Sequence, residues 1–144
     1  MAFIERDIMI AASSEDIFYY AADPNSLPDW YVGIAAVQPD GVWPEEGGQI
    51  GVTYKVSGIT LDVTATVLTY NAPHEFVFQM DGMVNGTFTW SYSDEGDFTN
   101  VYVAADYTLP GGALGAAVDK MVVEDMNIRN GEQSLANLKA IFEG

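Results

Sequence analysis

Cysteine is absent from this 144-residue chain, and basic residues are scarce. Without cysteine there is no disulfide and no thiolate metal site. Lysine and arginine together number 5 against 21 acidic residues, so the formal net charge is −16. Such a surface repels phosphate backbones and anionic lipids, and we therefore expect no nucleic-acid partner. The acidity fits a solubilising shell, with adaptation to high salt or a basic partner as the alternatives.

Long apolar runs and secretion signals are also missing from the sequence. No run approaches the roughly 20 apolar residues that span a bilayer, so no membrane insertion is expected. The N-terminus has neither the basic segment nor the apolar segment of a secretory signal, which predicts a cytoplasmic location. No repeat, low-complexity stretch or linker divides the chain, which predicts a single domain over residues 1–144.

Apolar residues are abundant. Hydrophobic residues make up 49% of the sequence and aromatic residues 12%, against 18% charged residues. A domain of this length buries roughly two thirds of the surface that its unfolded chain exposes. The composition therefore allows a complete core and leaves apolar surface that could line a pocket.

The first part of the chain predicts one strand followed by two short helices. Phe3–Ile10 has the composition of a strand. Ser13 and the acidic residues after it form a helix N-cap, which predicts a helix over Ser14–Ala22. Pro24 ends that helix, because the residue before a proline avoids the helical conformation. A second short helix is predicted over Asn25–Tyr31.

The middle of the chain changes to a period of two. Apolar and polar residues alternate, and turn residues separate the alternating segments, which is typical of antiparallel strands with one buried face. These segments are Ile50–Ser57, Thr60–Val67, Glu75–Met80, Thr87–Tyr92 and Thr99–Tyr107, with a weaker strand near Ala35–Val42.

A helical period returns after Pro110-Gly111-Gly112 and continues over Ala113–Glu143. Its apolar stripe comprises Leu114, Val118, Met121, Ile128, Leu135, Leu138 and Phe142. Asp125 and Glu132 fall near the centre of this stripe. Gly131 lies in mid-helix, where glycine lowers helix stability by roughly 1 kcal/mol relative to alanine. Either the helix bends there, or a ligand or a side chain needs the space.

This order of elements predicts an α+β fold of the helix-grip type. A curved antiparallel sheet of about seven strands wraps around the long C-terminal helix, and two short helices follow the first strand.

Several segments carry a family resemblance that extends over nearly the whole chain. They are Ile8–Phe18, Asp23-Pro24 with Trp30, Tyr70–Phe76, Asp106–Gly112 and Glu132–Lys139. Together they resemble the START-like (SRPBCC) superfamily, in its bacterial polyketide cyclase/dehydrase-like branch. The resemblance implies the helix-grip fold. It does not imply one activity, because this family includes ligand carriers, cyclases and lipid or quinone binders without a shared catalytic motif.

Aromatic residues are the main candidates for ligand binding. Alternation places several of them on the inner face of the sheet, and the second short helix places two more at the cavity mouth. Methionines would make the lining adaptable. The predicted binding residues are Trp30, Tyr31, Tyr54, Phe78, Met80, Trp90, Tyr92, Tyr107, Met121 and Asp125. The alternative is that these aromatic side chains only pack against the C-terminal helix.

Nucleophilic catalysis and metal binding have little support in the sequence. The single histidine, His74, lies in a predicted turn, and there is no phosphate-binding glycine loop. We therefore predict no metal and no cofactor.

Buried carboxylates are the remaining route to catalysis. An apolar pocket raises the pKa of a carboxyl group and allows it to shuttle a proton. Asp125 and Glu132, with a tyrosine such as Tyr107, are therefore the catalytic candidates. The alternative places both carboxylates at the edge of the helix, near Lys120, Arg129 or solvent.

Three functions are consistent with these features. The first is the binding of a small hydrophobic molecule, aromatic, polyketide or lipid-like, in an internal cavity. The second is a cofactor-free cyclase or dehydratase, and the third is an interaction domain without a ligand. The expected partner is a small hydrophobic molecule, and the chain would be a monomer or a dimer.

Overall fold

The computed structural model describes residues 2–56, 58–108 and 120–144 of the chain. The elements in this part are β1 (Ala2–Ile10), α1 (Ser14–Ala22), α2 (Leu27–Trp30), β2 (Ile34–Pro39), β3 (Gln49–Val56), β4 (Ile59–Asn71), β5 (Glu75–Gly82), β6 (Asn85–Glu95), β7 (Phe98–Thr108) and α3 (Lys120–Glu143). The predicted order of one strand, two short helices, six strands and a long helix is confirmed.

All seven strands belong to one antiparallel sheet in the order β1-β7-β6-β5-β4-β3-β2. Consecutive strands pair from β2 to β7, whereas β1 pairs with β7, the last strand. The sheet curves around the C-terminal helix, which confirms the predicted helix-grip fold.

Helix α1 has the predicted bounds, and its N-cap explains where it begins. The Ser13 hydroxyl accepts a hydrogen bond from the backbone N–H of Asp16 at 3.1 Å. Ile17 and Phe18 are completely buried on its inner face. Helix α2 is shorter than the predicted Asn25–Tyr31. The Ser26 hydroxyl donates to backbone carbonyls of the preceding turn, which keeps Asn25 and Ser26 outside the helix.

The C-terminal half of α3 is attached to the end of β1. The side chains of Leu135 and Leu138, on the inner face of this half of the helix, are buried. The Lys139 ammonium group donates to the Met9 carbonyl at 2.7 Å. The Glu143 carboxylate accepts from the Ala11 N–H at 2.9 Å. These contacts hold the C-terminal half of α3 against the end of β1. The predicted helix start at Ala113, the turn before it, Leu114 and Val118 lie outside the described residues.

Strand β2 ends at Pro39, three residues before the predicted end at Val42. The Asp40 carboxylate explains the early end, because it bends the chain by accepting hydrogen bonds from the backbone N–H groups of Trp43 at 3.0 Å, Val42 at 2.8 Å and Gln49 at 3.0 Å. This loop then carries Trp43 into the core, where it is 9% exposed.

The Asp40 loop generates a pH-dependent stability prediction. Hydrogen bonds from the N–H groups of Trp43 and Val42 lower the pKa of Asp40. A lowered folded-state pKa gives stability above the unfolded value, about 3.9, and that stability is lost as pH falls through the folded value. We expect Asp40→Asn to have a lower urea midpoint than the wild type at about pH 7, and the difference to shrink below about pH 4.

Glu46→Gln is the matched control for this prediction. Glu46 lies exposed in the same loop, and no hydrogen bond of its side chain is present among the described residues. The Glu46→Gln midpoint should follow that of the wild type at both pH values. A difference between Asp40→Asn and wild type that stayed constant with pH would contradict the assigned role of the Asp40 carboxylate.

Candidate functional site

A cavity of about 160 Å³ lies between the concave face of the sheet and α3. Helices α1 and α2 contribute Ala21, Leu27 and Trp30 to its wall, and Tyr31 follows α2 directly. Helix α3 contributes Asn127, Ile128 and Gly131. The predicted binding residues found in the lining are Trp30, Tyr31, Tyr54, Phe78, Met80, Trp90, Tyr92 and Tyr107.

The strand register brings these side chains together. Residues directly opposite each other on neighbouring strands share a face of the sheet, so they form rows that cross the strands. One row of the lining comprises Phe76, Trp90, Val103 and Arg6. A second row comprises Phe78, Phe88, Ala105 and Ile4. Alternation within each strand and register between strands therefore produce a continuous wall whose described residues in these rows are apolar except for Arg6.

Aromatic rings pack closely against one another in this wall. Phe78 and Phe88 stack with centroids 5.6 Å apart and an interplanar angle of 9°. The indole rings of Trp30 and Trp90 meet edge to face, with centroids 5.6 Å apart and an angle of 90°. Offset and edge-to-face pairs of this kind add stability beyond the apolar area that they bury. These two pairs join β5 to β6 and α2 to β6.

The Tyr54 hydroxyl forms a polar contact between the sheet and α3. It donates to Asn127 Oδ1 at 3.2 Å and accepts from Asn130 Nδ2 at 3.1 Å. Burial raises the pKa of Tyr54, so the hydroxyl keeps its proton. Gly33 lies against the Tyr54 ring with a φ of 100°, and a Cβ at this position would overlap the ring. Because Gly33 has no Cβ, the Tyr54 ring has room to adopt this orientation.

Tyr31 and Tyr92 bring two more hydroxyl groups to the lining. Burial raises the pKa of both, so they are neutral at physiological pH. A protonated phenol can donate or accept a hydrogen bond. These hydroxyls can therefore orient a polar atom of a bound molecule without placing a charge in the cavity.

Asp125 and Glu132 are exposed, and neither lies among the lining residues, so their predicted inward orientation is wrong. The buried face of α3 is centred near Gly131, Leu135 and Leu138. At about 100° per residue, Glu132 lies about 100° and Asp125 about 120° from that centre. The apolar stripe used for the prediction included N-terminal positions that shift its apparent centre toward these carboxylates.

Other predicted positions have different outcomes. The side chain of Met121 lies outside the described part of the structure. His74 is exposed, and its Nδ1 lies 3.1 Å from the Tyr92 carbonyl. Among the described residues, no group of three or more His, Cys, Asp or Glu side chains could hold a metal ion. No helix in that part of the chain is long and apolar enough to cross a membrane.

Sequence reasoning missed several lining residues, among them Trp43, Phe88 and Arg6, whereas it had marked Gly131 as a position where a ligand or side chain could need room. Phe88 had a usable signal, because it alternates in phase with Trp90. Trp43 lies in a loop without periodicity, and its Nε1 donates to the Ala22 carbonyl at 3.1 Å. Only the folded structure brings that loop over the cavity.

Ser134 and Asn137 hold the segment that carries Trp30 and Tyr31 against α3. The completely buried Ser134 hydroxyl accepts from the Val32 N–H at 2.8 Å and donates to the Asn130 carbonyl at 2.6 Å. Asn137 Nδ2 donates to the Trp30 carbonyl at 3.1 Å. Two side chains of α3 thus position the part of the wall that α2 contributes.

Solved structures with the same architecture are known. An aromatase/cyclase from Streptomyces sp. R1128 is 15% identical, with a TM-score of 0.82 over 99% of this chain and 93% of that chain. A START superfamily protein from Mycobacterium smegmatis is 15% identical, with a TM-score of 0.77 over 98% and 97%. A protein from Thermus thermophilus is 17% identical, with a TM-score of 0.79 over 96% and 95%. These similarities show a START-like helix-grip fold.

Sequence comparison then defines the family. The family model described as "Polyketide cyclase / dehydrase and lipid transport" matches residues 1–143. The chain belongs to this family. No curated protein matches the chain in sequence.

Ser134→Ala tests whether the Ser134 hydroxyl positions the segment that carries Trp30 and Tyr31. Ser134→Ala leaves the Val32 N–H without its acceptor, and an unsatisfied buried N–H costs about 1–3 kcal/mol. We expect the free energy of unfolding, measured with urea, to fall by about that amount. Ser93→Ala, on the exposed face of β6, is the control and should change it by less than about 0.5 kcal/mol. Equal effects in the two variants would contradict the role of Ser134.

Proposed function

We propose that this protein binds a small, largely apolar molecule with an aromatic body in the cavity between the sheet and α3. The composition of the lining carries the proposal. Three tryptophans and three phenylalanines contribute to the wall, and no aspartate or glutamate lies among its described residues. Ligand sites commonly combine such an apolar lining with a few polar groups that fix orientation. The proposal includes a cytoplasmic location and a monomeric or dimeric state.

The size of the cavity supports a ligand rather than a filled core. An engineered apolar cavity of roughly 150 Å³ in another protein binds benzene. The volume here, about 160 Å³, is therefore enough for at least one aromatic ring. An interaction domain without a ligand has no need to leave this space between its sheet and its helix.

A cofactor-free cyclase or dehydratase is the second candidate. The similarity in fold to the Streptomyces aromatase/cyclase favours it. Asp125 and Glu132 do not reach the cavity, so the enzyme would depend on tyrosine hydroxyls such as those of Tyr31, Tyr92 and Tyr107. No carboxylate partner for proton transfer lies among the described lining residues, and this favours binding over catalysis.

The first test uses isopropylbenzene, a single-ring apolar probe. All 3 tryptophans of the chain line the cavity, so intrinsic fluorescence reports on the site directly. We expect saturable quenching or a spectral shift in the native protein and none in urea-unfolded protein. Native mass spectrometry of protein purified from its own host then shows whether an apolar molecule accompanies it. A native protein without a saturable response would refute the proposal.

Gly131 provides a structural control over the cavity volume. It lies on α3 facing the cavity, and a Cβ built on it would meet no atom within 4 Å. Glycine within a helix costs roughly 1 kcal/mol relative to alanine. The helix therefore gives up stability at this position and leaves the space open.

We predict that Gly131→Ala increases stability and that Gly131→Leu weakens ligand binding. Gly131→Ala should raise the free energy of unfolding by up to about 1 kcal/mol, because it improves helix propensity without a clash. Gly131→Leu should fill the cavity and weaken isopropylbenzene binding at least about tenfold, since the side chain takes up the ligand volume. Calorimetry and urea unfolding measure the two effects.

Ala136→Leu is the matched control, because Ala136 is exposed on the same helix. It places a leucine side chain outside the cavity and should leave the isopropylbenzene affinity unchanged. If Gly131→Leu folded normally and bound the probe as tightly as Ala136→Leu, the cavity would not be the binding site.

A further inference from the structure

The charged group of the cavity wall is a cation. Arg6 of β1 lines the cavity, and the described lining includes no other charged side chain. This is unexpected in a chain with 5 basic and 21 acidic residues. The charge in the described part of the cavity wall is therefore opposite in sign to the net charge of the protein.

Arg6 has hydrogen-bonding capacity to spare. Its Nη1 donates to the Glu5 carbonyl at 2.7 Å, and its Nε lies 3.5 Å from Glu132 Oε2. A guanidinium group has five N–H donors and no acceptor. The Arg6 and Glu132 side chains are 43% and 54% exposed, and ion pairs this exposed contribute little. A second carboxylate can therefore bind Arg6 together with Glu132 or in its place.

A second donor is present in the wall that Arg6 extends. Arg6, Val103 and Trp90 lie side by side on adjacent strands, so the Arg6 and Trp90 backbones are about 10 Å apart. Trp30 packs edge to face on Trp90. Trp30 is 3% exposed, and its Nε1 has no hydrogen-bond partner among the described residues. Like Arg6, an indole N–H can only donate.

The Asn127 and Tyr54 side-chain oxygens of the lining already accept hydrogen bonds. Asn127 Oδ1 accepts from Tyr54, and the Tyr54 hydroxyl accepts from Asn130. The described lining therefore includes the Trp30 N–H without a partner, Arg6 with N–H groups beyond those in its two contacts, and tyrosine hydroxyls that can also donate. A ligand with an acceptor-only polar group matches this arrangement, whereas a cationic ligand would meet Arg6.

We propose that the natural ligand carries a carboxylate on its aromatic body, with Arg6 as its cationic partner and Trp30 Nε1 as a further donor. This inference rests on the proposed function, because it names the ligand class of the same cavity. Arg6 and Trp30 are then the residues that determine polarity and charge selectivity, while the rest of the wall selects for apolar shape.

The decisive experiment compares benzoate with benzamidinium by calorimetry. The two ions have the same number of heavy atoms and nearly the same shape, but opposite charge. A net charge of −16 by itself favours benzamidinium. We expect benzoate to bind about tenfold more tightly, because hydrogen bonds to charged groups outweigh screened surface charge. Equal or tighter binding of benzamidinium overturns the inference.

Arg6→Met tests the cation directly. This substitution keeps much of the apolar stem and removes the charge, so the preference for benzoate should fall at least about fivefold. Arg129→Met is the control, since Arg129 is exposed and does not lie in the described lining. It makes the same change in net charge. An equal loss of preference in both variants would assign the effect to overall charge and overturn the role of Arg6.

Trp30→Phe tests the second donor. It keeps an aromatic ring and removes the N–H, so the affinity for benzoate relative to isopropylbenzene should fall about threefold to tenfold. Trp43→Phe is the matched control, because the Trp43 N–H already donates to Ala22. Trp43→Phe can change both affinities together, but it should not change their ratio. A ratio that is unchanged in Trp30→Phe removes Trp30 from the inference.

Isopropylbenzene binding distinguishes a failure of the carboxylate inference from a failure of the proposed function. If it binds and benzoate is not preferred over benzamidinium, the cavity is a binding site and the carboxylate inference fails. If isopropylbenzene does not bind native protein, the proposed function fails and the inference fails with it.

Discussion

The pairing of β1 with β7 is the constraint on which the rest of the structure depends. They are the first and last strands along the chain, yet they pair in unbroken register from Ala2–Tyr107 to Ile10–Thr99. Side chains alternate between faces, so a slip of one residue would turn Ile4 and Arg6 away from the cavity. The same register places the end of β1 beneath the C-terminal half of α3, where the helix is attached.

Helix α3 combines an anchor with an open wall. Its C-terminal part buries Leu135 and Leu138, and the preceding turns present Asn127, Ile128 and Gly131 to the cavity. A larger apolar residue in place of Gly131 would pack against the sheet and close the space. Close packing is the ordinary state of a protein interior, so an open volume needs small or otherwise engaged side chains around it. Gly131 and the hydrogen-bonded Asn127 meet that requirement.

The sheet was predictable from the sequence because each strand has one buried face, and a period of two reveals that face directly. The inward positions of Tyr54, Phe78 and Trp90 follow from alternation alone. The orientation of α3 was not predictable in the same way, since its buried face includes Ser134 and Gly131, which hydropathy does not mark as apolar. The cavity-lining position of Arg6 depends on a long-range register, and that of Trp43 depends on the Asp40 loop.

Charge placement connects the fold with the proposed function. The exposed positions of Asp125 and Glu132 keep their carboxylates solvated, because a carboxylate in an apolar cavity pays a large desolvation cost. Arg6 avoids that cost differently, since its long apolar stem can line the wall while the guanidinium group stays partly in water. Among its described residues, the cavity has an apolar and neutral lining with one cation, which is partly exposed to solvent. An aromatic carboxylate matches this distribution of charge. Its apolar ring is stabilised by burial, and its carboxylate is stabilised by partial hydration.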